Sequence, residues 1–415
     1  MMQVGLQALL SDAHLDATQA QSQRQLSLSI GAIASDFQDA TLPLNLCLVL
    51  DHSGSMAGQP LRTVKEAAIQ LVDQLREGDR LSVIAFDHKA KVIVPNQDVT
   101  DKAHIKAQID RLEAAGGTCI DDGIKLGLQE LANSPGKRAA QVFMLTDGEN
   151  EHGDNGRCLE IAAVAAEHGV TLNSLGFGEN WNQDVLEKIA DAANGSLAYI
   201  ETPNQALTEF ERLLQRAQSV GLTNAQLLLQ LSPGSRLADL KPLAQVAPET
   251  IELPVVKEGD FYGVRLGDLL TEAPRIILAN LYIDQLPPGH QAIAQAQVRY
   301  DDPATGQTRL ISEAIPITVD VQENYQPAPN PVVQQSILAL AKYRQTQLAE
   351  DKLKAGDRQG AATLLQTAAK TAIQLGDTNA ATVLQQNATQ LQGGQDLSEG
   401  DRKRTRIAAK TMIQP

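Results

Sequence analysis

The length, charge and composition of the chain argue against several classes of protein. Its 415 residues are enough for two or three domains. A formal net charge of −15 is the opposite of the basic footprint that nucleic-acid-binding proteins carry. Hydrophobic residues make up 43% of the chain, enough for sizeable cores, whereas three cysteines cannot build a disulfide framework.

The N-terminal sequence predicts a cytoplasmic protein. It lacks the basic segment and the apolar run of a signal peptide. No stretch of the chain approaches about 18 consecutive apolar residues, so we also expect no membrane span. Within residues 1–40, polar and apolar side chains alternate over 25–33, which is typical of a half-buried strand. We expect this segment to supply strands to a β-sandwich formed further along the chain.

Strand-like and helix-like segments alternate over residues 41–219. The first strand, Leu44–Leu50, is nearly all apolar, as expected in a parallel sheet covered on both faces. Further strands are predicted at 80–86, 91–94, 141–146, 170–177 and 197–200, and helices at 60–77, 101–114, 121–133, 156–168, 183–193 and 204–218. The alternation predicts an α/β fold built on a doubly wound, mostly parallel, Rossmann-like sheet.

Three further segments follow this domain. Residues 220–325 contain strand-like runs separated by Pro, Gly and Asp, which predicts a β-sandwich. Residues 326–392 show helical spacing of apolar side chains and predict a helical hairpin or small bundle. Residues 393–415 are polar and predict a flexible basic tail, with its positive charges at Arg402, Lys403, Arg404 and Arg406.

Three oxygen-bearing side chains follow the first buried strand. Asp51, Ser53 and Ser55 alternate in the sequence, so a bending loop can turn all three toward one point. They lie at the carboxyl end of the strand, where open α/β sheets bind their ligands. One carboxylate and two hydroxyls are hard oxygen ligands, and such ligands suit Mg²⁺.

Two other loops offer matching oxygens. Thr118 precedes a predicted helix, and Asp147 follows the strand at 141–146. Together with the first three side chains, they would place five oxygen donors from three loops around one ion. The alternative is that these residues merely cap helices and turns, but caps do not require the whole set together.

In this set of residues the chain resembles the von Willebrand factor A (VWA) family. An Asp-x-Ser-x-Ser pattern, a threonine from a second loop and an aspartate after a later strand match that family's metal-ion-dependent adhesion site (MIDAS). The resemblance covers about 41–219 and includes the segments LCLVLDHSGSMAGQPL, DRLSVIAFD, GGTCIDDGI and VFMLTDGEN. The flanking segments loosely resemble the β layer of some relatives, such as the heavy chains of inter-alpha-trypsin inhibitors.

The resemblance implies a metal ion and a partner. Ser53, Ser55 and Thr118 would ligate Mg²⁺, with Mn²⁺ or Ca²⁺ as alternatives, while Asp51 and Asp147 would bind it directly or through water. In the family, the vacant position on the ion accepts a carboxylate from a partner. The chain is therefore predicted to be a non-enzymatic, divalent-metal-dependent protein-interaction module whose protein partner supplies an Asp or Glu. Metal-dependent self-association is expected at high concentration.

Two other functions remain as alternatives. One is a metal-dependent hydrolase, because metal sites can activate water, although no general base beyond the ligands is evident. The other is a scaffold subunit that works with a separate ATPase. His52, inside the first loop, could bind a softer metal such as Zn²⁺, but we expect its side chain to point away from Asp51 and Ser53 and to lie at the surface.

Overall fold

A computed structural model describes residues 2–34, 42–133 and 136–410. Its N-terminal part holds strands β1 (Met2–Leu10), β2 (His14–Asp16) and β3 (Gln21–Ala34). The chain then forms an α/β domain and returns at residue 220 to the two sheets that contain these first strands. The α/β domain is therefore inserted between strands of a β-sandwich.

One six-stranded sheet lies at the centre of the inserted domain. Its strands are β4 (Leu44–Asp51), β5 (Arg80–Phe86), β6 (Ala90–Asp98), β7 (Ala139–Thr146), β8 (Val170–Phe177) and β9 (Leu197–Ile200). The helices around it are α1 (Gln59–Gln74), α2 (Lys102–Asp110), α3 (Ile120–Ala132), α4 (Asn155–Glu167), α5 (Gln183–Ala192) and α6 (Pro203–Gln218). In the order β6-β5-β4-β7-β8-β9, all neighbours are parallel except β5 and β6. The predicted doubly wound, mostly parallel sheet is confirmed.

Strand β4 is apolar along most of its length because helices cover both of its faces. Its leucines at 44, 46, 48 and 50 pack in one core with α1, α2 and α6. Cys47 and Val49 pack in a second core with α3, α4 and α5. Because β4 runs parallel to both β5 and β7, the carboxyl ends of these three strands meet at one edge of the sheet.

Two sheets form the β-sandwich. Its later strands are β10 (Val220–Leu231), β11 (Ser235–Leu237), β12 (Leu243–Ala247), β13 (Ile251–Glu252), β14 (Val256–Glu258), β15 (Phe261–Leu270), β16 (Arg275–Asp284), β17 (Gly289–Asp302), β18 (Gln307–Ile311) and β19 (Ile315–Gln322). One sheet has the order β1-β3-β16-β12-β13, and the other has the order β14-β15-β10-β17-β19-β2. The short strands β11 and β18 pair with β16 and β17. Aliphatic side chains from both sheets share one core.

A helical unit follows, made of α7 (Pro331–Lys354), α8 (Arg358–Gln374) and α9 (Thr378–Gln392). Asp357 caps α8 by accepting a hydrogen bond from the Gly360 N–H at 2.8 Å, and Asp377 caps α9 through the Ala380 N–H at 3.0 Å. Alanine and leucine side chains fill the core between these helices. No helix in the described part of the chain has both the length and the apolar character needed to cross a membrane.

The chain forms helix α10 (Glu399–Lys410) in place of the flexible basic tail that the composition of 393–415 predicts; residues 411–415 lie outside the described residues. Several basic side chains of this helix contact distant parts of the protein. Arg406 pairs with Glu187 and Glu350, and the Lys403 ammonium lies 4.0 Å from the centre of a Trp181 ring. These partners lie 56 or more positions from Arg406 and Lys403 in the chain. The sequence around α10 therefore does not reveal the contacts.

Candidate metal centre

The two carboxylates of the predicted site lie at neighbouring strand ends. Asp51 is the last residue of β4, and Asp147 comes directly after β7. The strands are parallel neighbours in which Leu50 is opposite Leu145. The fold therefore brings both aspartates to the same edge of the sheet, although they are far apart in the sequence.

Asp51 is completely buried, and its carboxylate is held by nearby donors. Its Oδ1 accepts the Ser53 N–H at 2.8 Å, and its Oδ2 accepts the Thr146 hydroxyl at 2.5 Å. Burial raises the pKa of Asp51, and these hydrogen bonds offset only part of that effect. Sequence reasoning missed Thr146, whose position at the end of β7, directly before Asp147, was the available signal.

A chain of hydroxyls joins the first loop to Asp147. The Ser53 and Ser55 Oγ atoms lie 3.0 Å apart, and the Ser55 hydroxyl donates to Asp147 Oδ1 at 2.6 Å. Ser55 is exposed on a short 3₁₀ turn, Gly54–Met56, whereas Ser53 is buried. Burial, reinforced by the negative charge of Asp51, raises the pKa of Asp147 to about 6. Because few groups balance its negative charge, the ionised Asp147 carboxylate would be stabilised by a nearby cation.

Thr118 reaches the same place from the loop before α3. Its side chain is buried, and its carbonyl accepts the His152 N–H at 2.9 Å. A methyl group placed on Gly148 would lie 3.3 Å from the Thr118 hydroxyl oxygen and 3.7 Å from that of Ser55. Both hydroxyls therefore border Gly148, the residue after Asp147. We call these five residues the oxygen site: Asp51, Ser53, Ser55, Thr118 and Asp147.

The donors of the oxygen site fit a hard divalent cation. Two carboxylates and three hydroxyls offer oxygen only, which is the chemistry that Mg²⁺, Mn²⁺ and Ca²⁺ prefer. Within the described ranges, neither Asp51 nor Asp147 forms an ion pair with a Lys or Arg side chain; their hydrogen-bond donors are hydroxyls and backbone N–H groups. Buried charges are normally paired or bound to metal, so the negative charge here is suited to an external ion.

Around the oxygen site, the structure corrects one prediction. His52 is buried, with 8% of its surface exposed, and not at the surface as expected. Its ring contacts the Glu113 carbonyl and faces Asp87. Glu149 and Glu151, by contrast, are exposed beside Asp147 and form an acidic rim.

Two family models match the chain. The von Willebrand factor type A domain matches residues 45–213, which confirms the family resemblance of the α/β domain. The second model, described as the Sll0103-like, C-terminal alpha-helical domain, matches residues 331–415. The two matches therefore cover the inserted domain and the helical end of the chain.

Similar proteins extend these matches to the whole chain. The Synechocystis sp. protein sll0103 is 60% identical over 414 residues, covering 100% of this chain and 98% of that protein. Inter-alpha-trypsin inhibitor heavy chain H3 of Rattus norvegicus is 28% identical over 202 residues, but these are 45% of this chain and only 22% of that protein. The solved structure of a von Willebrand factor type A protein from Catenulispora acidiphila has the same fold, with a TM-score of 0.82 at 18% identity over 99% of this chain and 97% of that one. The chain therefore belongs to the family of the Synechocystis protein sll0103, and it combines a von Willebrand factor type A domain with an Sll0103-like C-terminal α-helical domain.

Proposed function

We propose that the VWA domain binds a divalent cation, Mg²⁺ first and Mn²⁺ or Ca²⁺ as alternatives, at the oxygen site as a MIDAS. The bound ion then captures an Asp or Glu carboxylate of a protein partner. One observation carries the proposal. Two buried carboxylates, Asp51 and Asp147, converge with hydroxyls and have no basic side chain paired with them in the described structure.

The ligand types explain why the ion would attract a carboxylate. Hydroxyl oxygens are neutral donors, so the three from Ser53, Ser55 and Thr118 leave the charge of the ion largely in place. Magnesium also retains exchangeable positions when few protein groups bind it. A partner carboxylate that replaces a water would therefore gain a short and directional bond at the centre of the interface.

The acidic rim supports the proposal that partner binding depends on the metal ion. Exposed Glu149 and Glu151 repel an approaching carboxylate, and the whole chain has a net charge of −15. A divalent cation bound beside Asp147 reverses the local sign of the potential. We therefore expect acidic partners to bind when the ion is present and to be repelled when it is removed.

The proposed role is binding and not catalysis. A hydrolase would need a base to activate water in addition to the groups that hold the ion. Here Asp51 and Asp147 are both members of the oxygen site, and the other carboxylates beside it, Glu149 and Glu151, lie exposed at its rim. The cytoplasmic location expected from the sequence stays a prediction.

Affinity capture tests the proposal. The full chain is immobilised and exposed to a cell extract. The proteins retained in Mg²⁺ are then compared with those retained in chelator. Thr118→Val, which keeps the shape of the side chain and removes its hydroxyl, is the test variant, and Thr382→Val, on the exposed face of α9, is the control. A partner should be retained only in Mg²⁺, by the wild type and Thr382→Val and not by Thr118→Val.

The captured partner then allows a double-mutant cycle. Thr118→Val is combined with a change of the partner's candidate Asp or Glu to Asn or Gln. Because both changes remove the same metal-bridged bond, their effects on the binding free energy should not add. Full additivity, or equal binding in chelator, would contradict a metal bridge.

A further inference from the structure

Strand β1 is the outermost strand of its sheet and is open along one side. Among the described residues, it pairs with β3 alone, in antiparallel register over all nine of its residues. No other described strand lies against its second edge. That edge therefore presents backbone N–H and C=O groups that can pair with a further strand.

The five other strands that end a sheet are protected against such pairing. Four of them have only two to four residues: β13, β2, β14 and β9. The fifth, β6, is as long as β1 but contains Lys91, Pro95 and Asp98. Short length, charge and proline are the usual means by which proteins protect a sheet edge. Strand β1, with the sequence MQVGLQALL, uses none of them.

The sandwich core is also incomplete along β1. Three aliphatic side chains of β1 pack against this core but remain only half-buried: Val4, Leu6 and Ala8. The β3 residues opposite them are at most 4% exposed: Ala32, Ile30 and Leu28. The core is thus closed at β3 and open one strand further out. A strand added beside β1 would cover aliphatic surface that now borders solvent.

We propose that two copies of this chain pair through β1 about a two-fold axis, so that their sheets join into one continuous sheet. Residues directly opposite each other in antiparallel strands point to the same face of the sheet. An axis between two residues would therefore set the core-facing residues of one copy against the outward-facing residues of the other. An axis through Leu6, the central residue of β1, keeps both cores on one side and pairs all nine residues.

The sequence of β1 suits pairing with itself in this register. On the core face, every opposed pair is apolar: Leu6 with Leu6, Val4 with Ala8, and Met2 with Leu10. On the outer face, the opposed pairs are uncharged: Gln3 with Leu9, and Gly5 with Gln7. The chain has a net charge of −15, so two copies repel each other over most of their surfaces. A strand without charge allows them to meet, and a two-fold interface closes the assembly as a dimer.

This dimer is independent of the oxygen site. Strand β1 belongs to the sandwich, whereas the oxygen site lies at the carboxyl ends of β4 and β7 in the inserted domain. Pairing through β1 uses backbone hydrogen bonds and aliphatic contacts, so it needs no metal. The dimer should therefore persist in chelator, unlike self-association through a metal-bound carboxylate.

Two double variants at exposed positions test the pairing and its register. Gln3 and Leu9 are both exposed on the outer face of β1. Gln3→Lys/Leu9→Lys sets like charges opposite each other at both ends of the paired strands, and like charges in this position destabilise strand pairing. Gln3→Lys/Leu9→Glu sets opposite charges there instead and is the matched control.

Sedimentation equilibrium of the full chain in chelator measures the dissociation constant of the dimer. We expect the wild type to dimerise, and the dissociation constant of Gln3→Lys/Leu9→Lys to be at least about tenfold higher than that of Gln3→Lys/Leu9→Glu. Val256→Lys, which changes an exposed aliphatic residue of β14, should dimerise like the wild type. Thermal unfolding of each variant checks that the fold is intact.

Three results would overturn the inference. A wild type that stays monomeric up to its solubility limit would mean that no second copy pairs with β1. Equal dissociation constants for the two double variants would exclude the pairing of Gln3 with Leu9 across the axis. A dimer that forms only in Mg²⁺ would belong to the oxygen site. None of these results contradicts Mg²⁺ binding, so the proposed function is tested separately.

Discussion

Two acidic regions of the molecule differ in what balances their charge. At the α10 interface, where Arg406 and Lys410 of α10 contact helices α5 and α7, Glu187 forms ion pairs with the Lys410 ammonium at 2.7 Å and the Arg406 guanidinium at 3.0 Å. At the oxygen site, Asp147 receives a hydrogen bond from the Ser55 hydroxyl and has another carboxylate, Asp51, nearby. Burial is similar, since Glu187 is 8% exposed and Asp147 is 9% exposed.

The difference separates carboxylates that pair with cations of the fold from those that, under the proposed function, bind an external ion. Burial tends to lower the pKa of Lys410, but the charges of Asp191 and Glu187 outweigh it and raise that pKa. Burial raises the pKa of Asp147 to about 6, and no cation of the described chain is paired with it. Removing a carboxylate that has an internal cation leaves that cation unpaired and destabilises the fold, whereas a carboxylate without such a partner favours an external ion.

The largest effect is expected from breaking the α10 interface. Glu187→Gln leaves Arg406 and Lys410 with one fewer counter-charge in a buried network. The free energy of unfolding should fall by about 3–5 kcal/mol, as is usual when one partner of a buried ion pair is removed. Urea unfolding measures this. Glu399→Gln, which breaks an exposed pair with Arg402 on the same helix, is the control and should cost less than about 0.5 kcal/mol.

Neutralising Asp147 of the oxygen site should abolish stabilisation by Mg²⁺ without destabilising the metal-free protein. Mg²⁺ at about 100 times its dissociation constant should stabilise the wild type by about 2.7 kcal/mol, and Asp147→Asn should lose this gain. In chelator, however, Asp147→Asn should be at least as stable as the wild type, because it removes a buried charge that lacks a cation. Thermal unfolding with and without Mg²⁺ measures both effects.

Glu151→Gln provides the matched control for this experiment. It neutralises an exposed carboxylate on the same loop and should keep the full Mg²⁺ response. A strong loss of stability of Asp147→Asn in chelator would contradict the comparison, since Asp147 would then be part of the fold like Glu187.

The pH dependence of stability should have opposite signs in the two regions. In metal-free protein, the pKa of Asp147 is about 6, above its unfolded value of about 3.9. The folded state therefore binds more protons between these values, so this group adds stability as the pH falls from about 6 to 4, by about 1–2 kcal/mol. The difference in unfolding free energy between wild type and Asp147→Asn isolates this contribution.

At the α10 interface, Asp184 provides the opposite case. Burial opposes the shift, but the hydrogen bond and charge of Arg406, together with nearby lysines, lower the pKa of Asp184. Its contribution is present above the unfolded pKa and is lost as the pH falls below it. Relative to Asp184→Asn, the wild type should therefore lose stability on acidification. If the stability contributions of Asp147 and Asp184 changed with pH in the same direction, the distinction between the two regions would be contradicted.

The smallest effect is expected at the acidic rim. Glu149→Gln changes an exposed charge, so the stability should change by less than about 0.5 kcal/mol. An acidic partner should associate faster and with a weaker dependence on salt, while its dissociation rate changes little. Stopped-flow or surface-binding kinetics over a range of salt concentrations measures this. A large change in dissociation would mean that Glu149 contacts the partner directly.

The fold of the VWA domain was predictable because its signals are local. A strand buried on both faces, such as Leu44–Asp51, is apolar along its length and is easily recognised. The oxygen site was predictable for a related reason. Parallel strands align their carboxyl ends, so polar residues that follow two such strands, Asp51 and Asp147, come together whatever their separation along the chain.

The remaining features depend on contacts that no local pattern records. The sequence around Arg406 is polar and charged, like a tail, because its counter-charges lie on α5 and α7. The burial of His52 likewise depends on the Glu113 carbonyl and on Asp87, which come from two other loops. Only the assembled fold shows that these charged or polar side chains are enclosed.

The central claim, that the oxygen site holds a divalent cation, is tested most directly by crystals grown in saturating Mn²⁺. The anomalous difference map should show a peak about 2.1–2.2 Å from the hydroxyl oxygens of Ser53, Ser55 and Thr118, with Asp51 and Asp147 bound directly or through water. Crystals of Thr118→Val should show this peak weakened or lost. A wild-type map without a peak at this edge of the sheet, or with Mn²⁺ bound only elsewhere, would contradict the account.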